Sequence, residues 1–154
     1  MFWKKKKKEA VRNAEGKIVR HTDLKAKLDK VFSLYIRMRD SREYDFKYFR
    51  CISCGRVKEF EQADCGHYFS RTHMATRYSE QNCNAECRYC NRMRADHLVG
   101  YRENLIRKIG KEMYDILSWQ HNQTKKWSDF ELQHLIDYYQ DKIGEMKTHK
   151  KLEL

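Results

Sequence analysis

Residues 51–94 read CISCGRVKEFEQADCGHYFSRTHMATRYSEQNCNAECRYCNRMR, with a Cys-x-x-Cys pair at each end, Cys51/Cys54 and Cys87/Cys90. Each pair sets two thiols about one tetrahedral edge apart, and two such turns close a four-coordinate structural zinc site with no open position. Gly55, directly after Cys54, suits the tight turn of such a knuckle, because glycine reaches positive φ at no steric cost. The second pair lies in ECRYCNRMR, which can begin a helix. Thirty-two residues separate Cys54 from Cys87, longer than a zinc-ribbon gap of roughly 15 to 20. The insert between the knuckles is therefore where chemistry is expected.

Disulfides or free thiols are the other reading of these cysteines. The N-terminus, MFWKKKKKEA, is basic and only briefly apolar, so a reducing, cytosolic compartment is expected and zinc is favoured. Cys65 and Cys83 remain over and read as small buried residues, with Cys83 close enough to Cys87 to compete for the metal.

A chain of 154 residues with 40% hydrophobic residues can bury one modest core. Its net charge of +11 is unevenly spread: Lys and Arg outnumber Asp and Glu by 16 to 7 over residues 1–50 and by 7 to 5 over 51–95, and balance at 10 each over 96–154. That asymmetry suits a polyanion lying across the first half of the chain. No apolar run approaches the roughly 20 residues needed to cross a bilayer, so a membrane partner is not expected.

Outward from the cysteines, four segments are expected. Residues 1–20 form a basic, flexible arm in which Lys4, Lys5, Lys6, Lys7 and Lys8 repel one another; the run is either a solvated tail or an arm that tracks phosphates. Residues 21–46 hold a basic amphipathic helix over 23–42, capped by Thr22. Its apolar stripe is Leu24, Leu28, Val31, Tyr35 and Met38, and Lys25, Lys27, Lys30, Arg37, Arg39 and Arg42 lie on the other face. The stripe packs onto its own domain or forms a dimer seam. Residues 47–96 are the zinc-bound core, with two short strands around the first knuckle, drawn from Tyr48, Phe49, Ile52, Val57, Phe60, Tyr68 and Phe69. Residues 97–154 are helical, over 97–109, 111–120 and 129–146, the last opened by a Ser128/Glu131 capping box. The fold class is α+β, mainly α: a zinc-stapled ββα-metal core flanked by N- and C-terminal helices.

Hydrolysis of a phosphodiester at neutral pH needs an activated water and positive charge on the leaving oxygen. A histidine suits the first task, and a hard cation on oxygen ligands suits the second. The insert supplies Asp64, His67 and Asn82, and Asn91 follows the fourth cysteine, so the knuckle would fix its direction. Arg71, Arg77, Arg88, Arg92 and Arg94 cluster around these residues in sequence, and a guanidinium fork suits a phosphate oxygen.

The order His67, Asn82, Asn91, with N-x4-C-x2-C-N around the last two, resembles the HNH or ββα-metal endonucleases, and an asparagine right after the second Cys-x-x-Cys is similar to the endonuclease VII resolvases of phage. CISCGR, DCGHYFSR, TRYSEQN, C-x-x-CN and YRENLIRKIG, with LKAKLDKVFSLYIRMRD upstream, more closely resemble the phage lambda NinG (Rap) recombination protein family, over about residues 22–118. The resemblance implies a structure-specific endonuclease that cuts branched DNA, Holliday junctions and D-loops, with phage or host recombination proteins as further partners. It implies His67 as general base, Asn82 as the residue orienting its loop, and Asn91 as ligand to a catalytic Mg²⁺ or Mn²⁺. Gly66 departs from the pattern, since many HNH sites carry Asp just before the histidine. Asp64 would have to substitute, but residues 64 and 67 of a regular strand point to opposite faces; a bulge at Cys65 and Gly66 would reconcile them.

Each residue also has a plainer reading. His67 can be a hydrogen-bonded member of a zinc-knuckle core, Asn82 and Asn91 can satisfy turn backbone, and His73, His97 and His121 read as surface or packing residues. Symmetric incision of a junction would call for a homodimer. The competing class is a non-catalytic zinc module that binds DNA and recruits recombination factors; a third is a zinc-containing RNA-binding protein.

Overall fold

The computed structural model describes residues 11–12 and 15–152, with side chains described up to residue 148; the Lys4–Lys8 run lies outside the described residues. Five α-helices and four short strands follow one another: α1 His21–Ser41, β1 Tyr48–Arg50, β2 Val57–Glu59, β3 Ala63–His67, β4 Cys83–Cys87, α2 Arg88–Met93, α3 His97–Ile109, α4 Lys111–Gln120 and α5 Asp129–Leu152. The fold is α+β with small sheets.

The helices lie close to where the apolar periodicity puts them. Leu24, Leu28, Phe32, Tyr35 and Ile36 of α1 bury against Leu132, Ile136, Tyr139 and Ile143 of α5. The stripe of α1 is thus covered by α5 of the same chain, and neither helix has its apolar face to spare for a dimer seam. Thr22 is not the cap: α1 begins at His21, two residues before the expected start, after an extended Arg20 that makes no side-chain cap bond. Ser128 and Glu131 do form the capping box of α5, the Ser128 backbone N–H donating to Glu131 Oε2 and the Glu131 N–H donating to Ser128 Oγ. Residues expected in a flexible arm are in part ordered, since Arg12 bridges Ile18 and Val11 and Val19 pack on the α1–α5 core.

The strands correct the sequence reading. β1 and β2 do form a hairpin around the first knuckle, but His67 is not on it. It ends β3, which pairs antiparallel with β4 in a separate two-stranded sheet, and α2 follows β4 directly. The strand–strand–helix unit that carries the candidate residues is therefore β3–β4–α2. β4 (Cys83-Asn84-Ala85-Glu86-Cys87) has weak strand propensity and is buried throughout. Tertiary bonds to its outer edge hold it: the Ala85 N–H donates to Asp40 Oδ2, and the Ala85 carbonyl accepts from the Ile52 N–H. Arg39 leaves the solvent face expected of it and donates to the carbonyls of Glu80 and Cys83.

Candidate functional site

The thiols of Cys51, Cys54, Cys87 and Cys90 all lie within 4.8 Å of one another and can hold a metal ion such as zinc. Gly55 turns the first knuckle at φ 69°, and its N–H donates to the Cys51 carbonyl. All six cysteines are free thiols. Burial pushes the Cys51 thiol up to about 11, whereas bonds from the Arg56 backbone N–H and the neighbouring thiols outweigh burial and lower Cys54, so the Cys51 thiolate a metal needs would form together with its binding. Cys83 does not compete for this site. It lies with Cys65 beside His67, the three donor atoms also within 4.8 Å of one another.

The β3–β4 register runs without interruption from Ala63↔Cys87 through Asp64↔Glu86 to His67↔Cys83, so the expected bulge at Cys65 and Gly66 is not there. One face of the hairpin carries Cys65 and His67, the other Asp64 and Gly66. The two sets meet by another route. A cavity of about 680 Å³ wraps the unpaired edge of β3 and is lined by Asp29 and Phe32 from α1, Asp64 and His67 from β3, Asn91 and Arg92 from α2, and His97 from α3. A cleft of about 710 Å³ elsewhere is lined by Arg42, Arg50, Arg107 and Lys108 but by no histidine.

His67 has both ring nitrogens against backbone carbonyls, Nε2 at 3.0 Å from Arg77 and Nδ1 at 3.3 Å from Cys65. Burial lowers its pKa, outweighing these bonds, so the ring is neutral at pH 7. A neutral imidazole has one N–H; given to the shorter contact, it sits on Nε2 and leaves the lone pair on Nδ1. Asn82, fully buried, pins the loop after β3: its Oδ1 accepts from the Phe69 N–H at 2.8 Å, and its Nδ2 donates to the carbonyls of Phe69 and Thr76 at 2.9 and 3.1 Å. Thr76 precedes Arg77, whose carbonyl receives His67, so Asn82 holds the partner of the histidine in place.

Asp64 and Asn91 come together, with Asn91 Nδ2 donating to Asp64 Oδ2 at 3.0 Å. Arg92 forks onto both oxygens of Asp64 at 2.7 Å. Burial of Asp64 opposes ionisation, but the Arg92 and Asn91 bonds outweigh it and hold the carboxyl below its usual range. Among the arginines, Arg77 is 8% exposed and clamped on Asp29 at 2.6 and 2.9 Å, so it serves the fold and not a phosphate. Arg94 pairs with Asp96, and Arg71, Arg88 and Arg92 are exposed.

His97 and Glu86 were not singled out by sequence. His97 reads there as a surface or packing residue, yet it lines the cavity, and its Nδ1 meets Glu86 Oε1 at 2.6 Å. The available signal was Gly66 beside His67, with an acidic residue in the segment that pairs with it.

The profile of the family described as "Bacteriophage Lambda NinG protein" matches residues 3–150. The chain belongs to this family. The protein named "Protein ninG" of Escherichia phage 933W is 35% identical over 103 residues, 65% of this chain and 49% of the relative. That of Escherichia phage lambda is 35% identical over 103 residues, 65% and 48% of the two chains, and that of Salmonella phage P22 is 33% identical over a segment of the same length. The chain spans about half the length of these NinG relatives. No solved structure is significantly similar to it. Among the described residues, no helix is long and apolar enough to cross a membrane.

Proposed function

We propose that this NinG-family chain is a structure-specific endonuclease that hydrolyses phosphodiesters of branched DNA, Holliday junctions and D-loops, in the cytoplasm of the phage's host. The observation that carries the reading is the cavity at the edge of β3, where His67, held at both ring nitrogens against the carbonyls of Arg77 and Cys65, shares one space with Asp64 and Asn91. His67 is the general base: Nδ1, whose contact with the Cys65 carbonyl is the longer of the two, turns from that carbonyl to take the proton from the attacking water, and Asn82 keeps the Arg77 carbonyl in place by holding residues 69–76. The four cysteines hold zinc as a scaffold, which joins the first knuckle to β4 and α2 and so sets the direction of Asn91. Asp64 and Asn91 are the oxygen ligands for Mg²⁺ or Mn²⁺, a fit supported by their contact and by the low pKa that keeps Asp64 ionised. When bound, such an ion supplies charge stabilisation at the leaving oxygen. Arg71, Arg88 and Arg92 receive backbone phosphates, which position DNA without reading its sequence; Arg92 then exchanges Asp64 for phosphate. The strand–strand–helix order of β3, β4 and α2 supports an HNH-like core. A homodimer would give paired incisions, on a surface other than the α1–α5 stripe.

A recruiting zinc module is the second reading, and one observation favours it: both oxygens of Asp64 are spent on Arg92 and Asn91. The test is incubation of zinc-loaded protein with a four-way junction and a matching linear duplex, each with Mg²⁺ and with Mn²⁺. Preferential cutting of the junction is expected. Tight junction binding with no cutting in either metal would replace the nuclease by the recruiting module.

A further inference from the structure

We propose that His97 is a ligand of the divalent cation in the β3-edge cavity, through Nε2, and that Glu86 is the carboxylate that positions it. The proposal rests on the hydrolytic reading of that cavity. Glu86 is fully buried on β4, and its Oε1 accepts from Ser53 Oγ at 2.5 Å and from His97 Nδ1 at 2.6 Å. Donation from Nδ1 leaves Nε2 as the lone-pair nitrogen of the ring, and His97 lines the same cavity as Asp64, His67 and Asn91. A histidine that holds a metal characteristically gives its other N–H to a carboxylate, which fixes the ring and raises its basicity.

Three further observations concern Glu86, and two of them show that it is held there at a cost. Its Oε2 is the one buried side-chain polar atom without a hydrogen-bond partner among the described residues, where burial with an unmade bond is unfavourable. A Cβ on Gly66 would stand 2.3 Å from that same oxygen, so only glycine before His67 leaves room for the carboxylate. Glu86 also stands directly opposite Asp64 in the ladder, on the same face, and like charges so placed repel. Arg92 neutralises Asp64. The basic side chain in contact with Glu86 is His97, and a cation on its Nε2 would bring positive charge to Glu86 at the point where the site needs a cation for chemistry. An imidazole among oxygen ligands also favours Mn²⁺ over Mg²⁺.

The test uses zinc-loaded full chain titrated with Mn²⁺ and read by electron paramagnetic resonance, with zinc content and circular dichroism confirming the fold of every variant. The wild type is expected to bind one Mn²⁺ with nitrogen coupling in the electron spin echo. His97→Ala is expected to lose the coupling and to bind at least about 10-fold more weakly, and Glu86→Gln to weaken binding by about 10- to 100-fold. His97→Gln, which keeps side-chain bulk, serves if the alanine variant does not fold. His67→Ala should keep both affinity and coupling. Coupling and affinity that persist in folded His97→Ala, coupling lost in His67→Ala instead, or no Mn²⁺ binding by the wild type would overturn the proposal. Junction cutting with Mn²⁺ affinity indifferent to His97 would remove this assignment and leave the nuclease; Mn²⁺ held through His97 by a protein that cuts nothing would do the reverse.

Discussion

At the scale of single residues, Asn82 carries the most structure. Its one side chain satisfies a donor and two acceptors of the loop after β3. Asn82→Asp would keep the acceptor but turn an anionic oxygen toward the carbonyls of Phe69 and Thr76. We expect a loss of about 1–3 kcal/mol for each carbonyl so faced, measured by urea unfolding, with cutting reduced in the molecules that remain folded; unchanged stability would mean the loop is held by something else. In its proposed role as base His67 must be neutral, and burial lowers its pKa. The deprotonated fraction then persists to lower pH than for a free histidine, so the acid limb of the cleavage–pH profile should fall below the ordinary value of about 6.5. An acid limb above that value would point to another base. His67, Asn82 and Asn91 could be singled out as candidates because they stand in a fixed order beside cysteines whose spacing announces itself. Glu86 and His97 were not, because the bond that joins them crosses from a strand to a helix and belongs to no short motif.

At the scale of elements, legibility followed the source of stability. α1, α3, α4 and α5 could be read because an apolar stripe or a cap is written along each of them. β4 could not, because its strand geometry comes from Asp40 and Ile52, residues far away in sequence, and its own side chains argue against a strand. The same dependence governs α2. Its six residues are too few to stand alone, and a metal held by Cys87 and Cys90 with Cys51 and Cys54 would tie its start to the first knuckle. Chelation of the metal should therefore speed amide exchange in α2 before it affects α1 and α5, and separate Asn91 from Asp64. Equal protection of α2 with and without metal would show that the thiols do not hold it. The α1–α5 pair has the opposite character: Ile136→Ala, at a fully buried contact, should cost about 2–5 kcal/mol in a thermal or urea melt while leaving the metal content unchanged.

At the scale of the whole molecule, the chain sets a helical clamp, α1 with α5, beside a small hairpin whose edge opens into the cavity. Positive charge concentrates in the half that carries α1 and the hairpins, so binding of a four-way junction should weaken steeply with salt, log affinity falling by about 0.9 per duplex phosphate contacted for each tenfold rise. Because α1 and α5 cover one another, any dimer must be built on other surfaces. In the proposed function DNA binding and chemistry separate at His67. The measurement that tests it most directly compares wild type with His67→Ala, matched in zinc content, for both binding and cutting of a four-way junction in Mn²⁺. Near-equal binding with cutting lost in the variant is expected; cutting retained by His67→Ala would remove His67 as the base.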